Sequence, residues 1–135
     1  MRTLLDSDVI SNLMKREHSA RLLERLAELP EADRFVSTIT LGEVLYGLER
    51  SARHEHLRRV LEEKVLPHLR LVAFDEAAAR QYAVLRAHLE REGQPLGEAD
   101  LRIAAIALAN DLTLITGNDK HFRRVPRLRA LNWLS

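Results

Sequence analysis

Four acidic residues stand where predicted strands end or predicted helices begin. Asp6 follows the apolar run Thr3-Leu4-Leu5, and Asp119 follows the clearest strand of the chain. Glu43 falls in the first turn of the helix predicted after a second strand, and Asp100 opens a helix rich in Ala, Ile and Leu. Grouped carboxylates repel and lose hydration, and a hard cation such as Mg²⁺ or Mn²⁺ relieves that cost. Such a site activates water against a phosphoryl group.

The pattern of apolar residues predicts elements that bring these acids together. The predicted strands are 3–5, 35–36, 69–74, 112–116 and 128–131. Helical spacing predicts helices at about 7–13, 19–29, 41–48, 57–65, 75–89 and 100–110. Short apolar strands that alternate with amphipathic helices predict an α/β sandwich, in which helices cover both faces of a parallel sheet. The four acids then share the carboxyl edge of that sheet.

Size and composition set the class of protein. With 135 residues, 46% of them hydrophobic, the chain suits a single domain over 1–135 with a real core. The absence of cysteine excludes disulfides, thiolate metal sites and cysteine nucleophiles. No apolar run approaches a membrane span, and Asp6 comes too early for a signal peptide, so we expect a cytoplasmic protein without a membrane partner.

Each acid also has a purely structural interpretation. Asp6 suits a helix cap, and Asp100 suits the positive end of a helix dipole. Thr40 and Glu43 have the spacing of a capping box, and Asp119 is a plausible turn residue. Convergence at one edge favours the metal site over four separate capping roles, because an unneutralised cluster of carboxylates is costly.

Several other polar residues are candidates for contacts with a nucleic acid. The segment after Asp119 contains no acid and five basic residues, among which Arg123 and Arg124 are predicted to bind RNA phosphates. Arg102 either holds the scissile phosphate or pairs with Glu98, four residues earlier. Tyr46 either stacks on a base or belongs to the core, and the core is favoured.

Four segments of the chain resemble, in order, the motifs of PIN-domain nucleases, specifically the VapC toxins of bacterial toxin–antitoxin pairs. They are residues 4–11 (LLDSDVIS), 37–47 (STITLGEVLYG), 95–105 (PLGEADLRIAA) and 113–122 (TLITGNDKHF), with Asn132-Trp133 near the end. The likeness covers the whole chain.

This resemblance implies a PIN-like fold and a metal-dependent ribonuclease that cleaves tRNA or other structured RNA. It also implies a VapB-type antitoxin that covers the active site, and a homodimer. The core metal-site acids of the family fall on Asp6, Glu43 and Asp100. The fourth falls on Asn118 or Asp119, depending on a one-residue shift. Asp119 is favoured because it is charged, with Asn118 as a polar helper. Ser7 stands where the family more often has Thr. Asp8 is left out of the core site as a residue that orients its neighbours.

Two other functions fit parts of the sequence. Residues 5–9 also match the start of haloacid-dehalogenase-type phosphatases, with Asp6 as nucleophile and Asp8 as general acid. That interpretation lacks a suitable lysine between Lys64 and Lys120 and leaves Glu43 without a role. The third possibility is an inactive PIN scaffold that only binds RNA or a partner, which the intact acids disfavour.

Overall fold

A sheet of five parallel strands forms the centre of the computed structural model, which describes residues 1–135. The spatial order of the strands is β3-β2-β1-β4-β5. The strands are β1 (Thr3–Leu5), β2 (Arg34–Ser37), β3 (Arg70–Val72), β4 (Thr113–Ile115) and β5 (Ala130–Leu131). The helices are α1 (Ser7–Met14), α2 (Ala20–Ala27), α3 (Thr38–Glu49), α4 (His54–Val60), α5 (Glu76–Arg91), α6 (Glu98–Asn110) and α7 (Asp119–Phe122).

Helices cover both faces of the sheet, as the sequence pattern predicts. Successive residues of a strand point to opposite faces, so Leu4 and Leu5 belong to two different apolar clusters. Leu4 packs with buried residues of α5, α6 and α7, such as Ile106 and Phe122. Leu5 packs on the other face with α1, α2, α3 and the segment after α4. The α/β sandwich is therefore confirmed.

Two helices begin earlier than the sequence predicts, which changes the position of two candidate acids. Helix α6 begins at Glu98 with Gly97 as its N-cap, so Asp100 is the third helical residue and does not open the helix. Helix α3 begins at Thr38, so Glu43 lies in its second turn and not in its first. In both helices the first periodic apolar residue comes several positions after the N-cap. The apolar pattern therefore predicts a first helical residue that is too far along the chain.

The helix predicted to end before Pro67 is irregular. Helix α4 ends at Val60, and the chain continues through a π-helical turn at Leu61–Val65 and a short 3₁₀ turn at Leu66–His68. Leu61 and Val65 are buried, so the wider turn still delivers apolar side chains to the core. Spacing alone does not distinguish these helical forms. No helix combines the length and the apolarity that a membrane span requires.

The order of the strands creates a crevice beside β1. The chain leaves β1 to form β2 on one side, whereas β4 pairs with β1 on the other side. In open parallel sheets, ligands bind outside the carboxyl ends of the strands at the point where the strand order reverses. Here that point lies after Leu5 and Ile115, which pair with each other in register.

Candidate active site

Asp6 is the buried centre of the site. It follows β1 and is only 3% exposed. Its Oδ1 atom accepts a 2.8 Å hydrogen bond from the backbone N–H of Ser7, which caps α1. Its Oδ2 atom accepts a 2.8 Å hydrogen bond from the hydroxyl of Thr116, the residue after β4. Asp6 therefore caps a helix, as its structural interpretation predicts, and also joins the two strands at the switch point.

Asp8 fixes the loop after β4, a role that the sequence analysis assigned only loosely as orientation of its neighbours. The backbone N–H of Gly117 donates a 2.8 Å hydrogen bond to Asp8 Oδ2. A Cβ atom on Gly117 would lie 2.6 Å from that oxygen, so any other residue here would displace the Asp8 carboxylate. The Oδ1 atom of Asp8 is buried and has no hydrogen-bond partner in the chain. The sequence analysis missed Gly117 and Thr116, although both directly follow the clearest strand.

Glu43 is free to serve the site because it does not cap α3. The cap is Ser37, whose hydroxyl accepts a 3.0 Å hydrogen bond from the backbone N–H of Thr40. The capping-box interpretation of Thr40 and Glu43 is therefore wrong, because the helix starts one turn earlier than that pairing requires. Glu43 instead lines a groove together with Ser7.

The acids of the site raise one another's pKa values. Burial is the main cause for Asp6 and outweighs the hydrogen bonds that lower its pKa, while the charge of Asp100 raises its pKa further. Burial also raises the pKa of Glu43, to which the charges of Asp6 and Asp100 add. The pKa of Asp8 is raised by burial and by the charge of Asp6.

Asp100 belongs to the same electrostatic cluster. Burial raises its pKa, the nearby charge of His121 lowers it, and the charge of Asp8 raises it again. The net direction is upward although Asp100 lies in the first turn of α6, where the helix dipole favours a negative charge. The structure thus brings Asp6, Asp8, Glu43 and Asp100 within electrostatic range of one another.

Asp119 is not among the acids whose charges raise these pKa values, and its carboxylate is already engaged. It begins α7, and its Oδ2 atom is 3.4 Å from a guanidinium nitrogen of Arg123. Its Oδ1 atom accepts a 3.5 Å hydrogen bond from the side chain of Asn132. Asn118, the suggested helper, donates its backbone N–H to the Thr116 hydroxyl. The loop that carries both residues is therefore tied to the same Thr116 that holds Asp6.

The arginine residues that are candidates for RNA contacts already have partners within the chain. Arg102 pairs with Glu98 at 3.3 Å, the structural alternative that the spacing allowed. Glu98 also pairs with Arg86 on α5, which places Arg102 in a surface network of α5 and α6. Arg124 donates to the backbone oxygen of Pro95. Arg123 is exposed but pairs with Asp119.

A groove of about 1490 Å³ lies between α1, α2, α3 and α4, and Glu43 and Ser7 are among its lining residues. Aliphatic side chains also line it, and Glu43 is its only acid. Four of its lysine and arginine residues are exposed and have no ion-pair partner: Lys15, Arg16, Arg53 and Lys64. None of these four was predicted from the sequence, because their common groove depends on how the helices pack.

The donor chemistry of the site fits a hard divalent cation. The acids supply only oxygen ligands, and the buried Asp8 Oδ1 atom lacks a partner. No three acidic or histidine side chains of the chain lie close enough together to hold one ion. The acids therefore form an electrostatic cluster and not a complete coordination sphere.

Comparison with known proteins agrees with this geometry. Residues 3–128 match the model of the PIN domain. The chain belongs to the PIN-domain family.

Two curated relatives match this PIN domain over nearly its full length, and both are VapC proteins. "Ribonuclease VapC2" of Haemophilus influenzae is 32% identical over 136 residues, which cover 99% of each chain. The "tRNA(fMet)-specific endonuclease VapC" of Shigella flexneri is 32% identical over 133 residues, 98% of each chain. The protein is therefore a VapC-type PIN domain, and the phosphatase alternative is wrong.

A solved structure shows the same fold. In the crystal structure of VapBC2 from Rickettsia felis bound to a DNA fragment from their promoter, one chain superposes with a TM-score of 0.91. It is 30% identical in sequence, and the match covers 98% of this chain and 99% of that one. The PIN-like fold predicted from the sequence is confirmed.

The raised pKa of Asp100 predicts that Asp100→Asn stabilises the metal-free VapC-type domain at pH 7. A raised folded-state pKa means that the wild type loses stability as the pH rises from the ordinary value of 3.8 through the folded one. Asp100→Asn has no carboxyl group at this position and therefore does not lose stability over this pH range. Because Asp100 is half-buried and partly screened by solvent, we expect a gain of about 1 kcal/mol or less. Denaturant unfolding with EDTA at pH 4 and pH 7 measures it.

Glu98→Gln is the matched control, since Glu98 lies in the same turn of α6 but pairs with Arg86 and Arg102. That variant should be slightly less stable than the wild type at pH 7. If Asp100→Asn is destabilised in the same way, Asp100 acts as a favourable helix charge and the repulsive cluster is refuted.

Proposed function

We propose that the protein is a metal-dependent endoribonuclease, the toxin of a VapBC-type toxin–antitoxin pair. The observation that carries this proposal is the convergence of Asp6, Glu43 and Asp100 at the switch point of a VapC-type PIN domain. Asp119 is proposed as the fourth acid, with Ser7 and Asn118 as polar helpers. The reaction is hydrolysis of an RNA phosphodiester bond.

The cofactor is proposed to be Mg²⁺ or Mn²⁺, with Asp6, Glu43, Asp100 and Asp119 as the candidate ligands. Because no three of these side chains are close enough to bind one ion together, one or two carboxylates and several waters would coordinate the cation. When bound, the cation withdraws charge from the scissile phosphate and activates water for attack on phosphorus. The chain itself determines where the ligands stand. The Thr116 hydroxyl fixes the orientation of Asp6, and the hydroxyl of Ser7 favours the charged forms of Asp6 and Glu43.

Asp8 performs a separate positioning task. Its hydrogen bond to Gly117 holds the start of the loop that presents Asn118 and Asp119. Outer contacts of this kind orient metal ligands and influence affinity for the metal. Because a side chain at position 117 would collide with Asp8, this contact also explains why glycine stands between the strand and the fourth acid.

The proposed substrate is tRNA or another structured RNA with an unpaired segment. The name of the Shigella relative specifies tRNA(fMet). The unpaired lysine and arginine residues of the groove support RNA binding, because they attract phosphates and because Glu43 lines the same groove. Single-stranded loops suit such a site, since their bases can be splayed out of the stack.

The proposed protein partner is a VapB-type antitoxin, since the Rickettsia relative was solved as a VapBC assembly. A homodimer and a cytoplasmic location also remain proposals. The alternative of an inactive PIN module that only binds RNA or a partner is decided by the activity measurements below.

Asp6→Asn, Glu43→Gln and Asp100→Asn should each lower RNA cleavage at least ~100-fold in saturating Mg²⁺ or Mn²⁺, because each removes a charged ligand. Single-turnover cleavage of tRNA, resolved on denaturing gels, provides the measurement. EDTA should abolish wild-type cleavage, and added metal should restore it.

Asp111→Asn is the matched control for these variants. Asp111 is exposed at the opposite end of α6, and its left-handed backbone (φ 54°) suits asparagine. It should retain wild-type activity. Normal cleavage by Asp6→Asn or Asp100→Asn would refute that residue's role. Metal-independent cleavage would refute the mechanism, and RNA binding without any cleavage would establish the inactive module.

The fourth acid has its own prediction. Asp119→Asn should lower cleavage, but less than Asp6→Asn, because Asp119 is already engaged by Arg123 and Asn132. Asn118→Ala should have a smaller effect than Asp119→Asn in the same assay. The reverse order would show that Asn118, and not Asp119, occupies the functional position.

The groove predicts how RNA affinity depends on salt. Replacing Lys15 and Arg16 together by Gln should flatten the slope of log affinity against log salt by roughly 1–1.5 units, given about 0.7 per single-strand phosphate contact. Replacing Arg123 and Arg124 together should change the slope less, since both already have partners. Fluorescence anisotropy of labelled RNA in EDTA compares the two pairs. The opposite ranking would place the RNA along the C-terminal segment.

A further inference from the structure

Tyr46 on α3 is the only exposed aromatic residue of the chain. Its side chain is 63% exposed, whereas Phe35, Phe122 and Trp133 are buried. The remaining two aromatic residues pack edge to face against each other. The core role that was favoured for Tyr46 from the sequence is therefore wrong. The Tyr46 ring is not part of the core, and it lies one turn from a candidate catalytic acid. We therefore consider a function for this ring other than packing.

Tyr46 and Glu43 share an open side of α3. At 3.6 residues per turn, Gly42, Glu43, Tyr46, Gly47 and Arg50 lie on one side of this helix. A Cβ atom added to either glycine would meet nothing within 4 Å. Glycine is unfavourable inside a helix, and two of them here leave the surface around Glu43 and Tyr46 free of bulky side chains. A flat ligand thus has access to the ring from beside the acid.

Arg50 adds a positive charge to this surface. Its guanidinium carbon lies 5.5 Å from the centre of the Tyr46 ring, within the range of a cation–π contact. No carboxylate pairs with Arg50. The pair therefore presents an aromatic face beside an unneutralised cation. In single-stranded RNA, a base stacks on such an aromatic face and a phosphate binds such a cation.

The position of this pair suits a nucleotide close to the reacting phosphate. Side chains three residues apart on a helix are neighbours, with roughly 5–6 Å between their Cβ atoms. Glu43 and Gly47 also line the basic groove, whereas Tyr46 and Arg50 do not. Around α3, Glu43 lies between Gly47 and Tyr46, so an RNA strand bound in the groove at Glu43 reaches Tyr46 and Arg50 on the next side of the helix.

We infer that Tyr46 is a stacking platform for an RNA base adjacent to the scissile phosphate and that Arg50 binds a phosphate of the same strand. The inference rests on the proposed ribonuclease function and adds a specificity-determining contact to it. Tyr46 positions the substrate and is not a catalytic residue.

The test compares two RNA probes that differ only in their bases. One is a fluorescein-labelled 12-nucleotide oligoadenylate, and the other is a 12-nucleotide oligomer of the same backbone with abasic positions. Binding is measured by anisotropy in EDTA, so that no cleavage occurs. Tyr46→Ala should weaken binding of oligoadenylate about 5- to 100-fold, which is the range expected for loss of one stacked base, and leave the abasic probe unchanged. Tyr46→Phe should bind as the wild type does.

Arg50→Gln should weaken binding of both probes, because the phosphate is present in each. Val84→Ala on α5 removes a side chain that is 64% exposed, and it should change neither affinity. With tRNA and metal, Tyr46→Ala should raise KM more than it lowers kcat, which a merely structural role would not do. Thermal melts confirm that each variant is folded.

Two results would overturn the inference while the ribonuclease stands. Equal losses on both probes, or no loss on either, would exclude a base contact. A change in sedimentation coefficient of free Tyr46→Ala would identify the ring as a contact between copies of the chain. If the wild type neither binds nor cleaves RNA, the proposed function fails first and the stacking platform fails with it.

Discussion

The parallel pairing of β1 with β4 is the constraint on which the site depends. It sets Leu5 beside Ile115, so that the next residues, Asp6 and Thr116, leave the sheet side by side. The hydrogen bond from the Thr116 hydroxyl to Asp6 then joins the first and last thirds of the chain. Asp8 and Gly117 repeat the connection one step further from the sheet. Without this pairing, α1 and the loop before α7 would have no fixed relation to each other.

The same constraint has an electrostatic cost. The strand ends bring Asp6, Asp8, Glu43 and Asp100 into a partly dehydrated region, where burial and mutual repulsion both oppose ionisation. His121 is the one nearby side chain whose charge offsets this for Asp100. The arrangement lowers the stability of the metal-free fold, and the proposed divalent cation would restore that stability by binding only the folded state.

The surroundings of the acids divide into surfaces with different chemistry. The groove side of α3 has aliphatic side chains and unpaired cations, whereas the neighbouring side carries Tyr46 and Arg50 between two glycines. Glu43 stands at the boundary of the two. The α5–α6 surface, by contrast, is an ion-pair network of Arg86, Glu98 and Arg102 whose charges satisfy one another. Charges that are already paired give little attraction to a phosphate, and for this reason the proposed RNA surface lies on the side of α3.

The sequence by itself determined the α/β class and the order of the elements, because apolar periodicity is a property of neighbouring residues. Periodicity did not single out Asp6, Glu43 and Asp100 among the acids of the chain, and the resemblance to PIN-domain nucleases selected them. The sequence did not determine where α3 and α6 begin, because a cap is set by a hydrogen bond such as that from the Thr40 N–H to Ser37 and not by apolar spacing. It also favoured the core for Tyr46, and only the packing of the helices shows that this side of α3 is uncovered. Only the tertiary structure decided the partners of Arg102 and Arg124, the exposure of Tyr46, and the contact between Asp8 and Gly117. Each of these depends on residues distant in sequence that packing brings within a few ångströms.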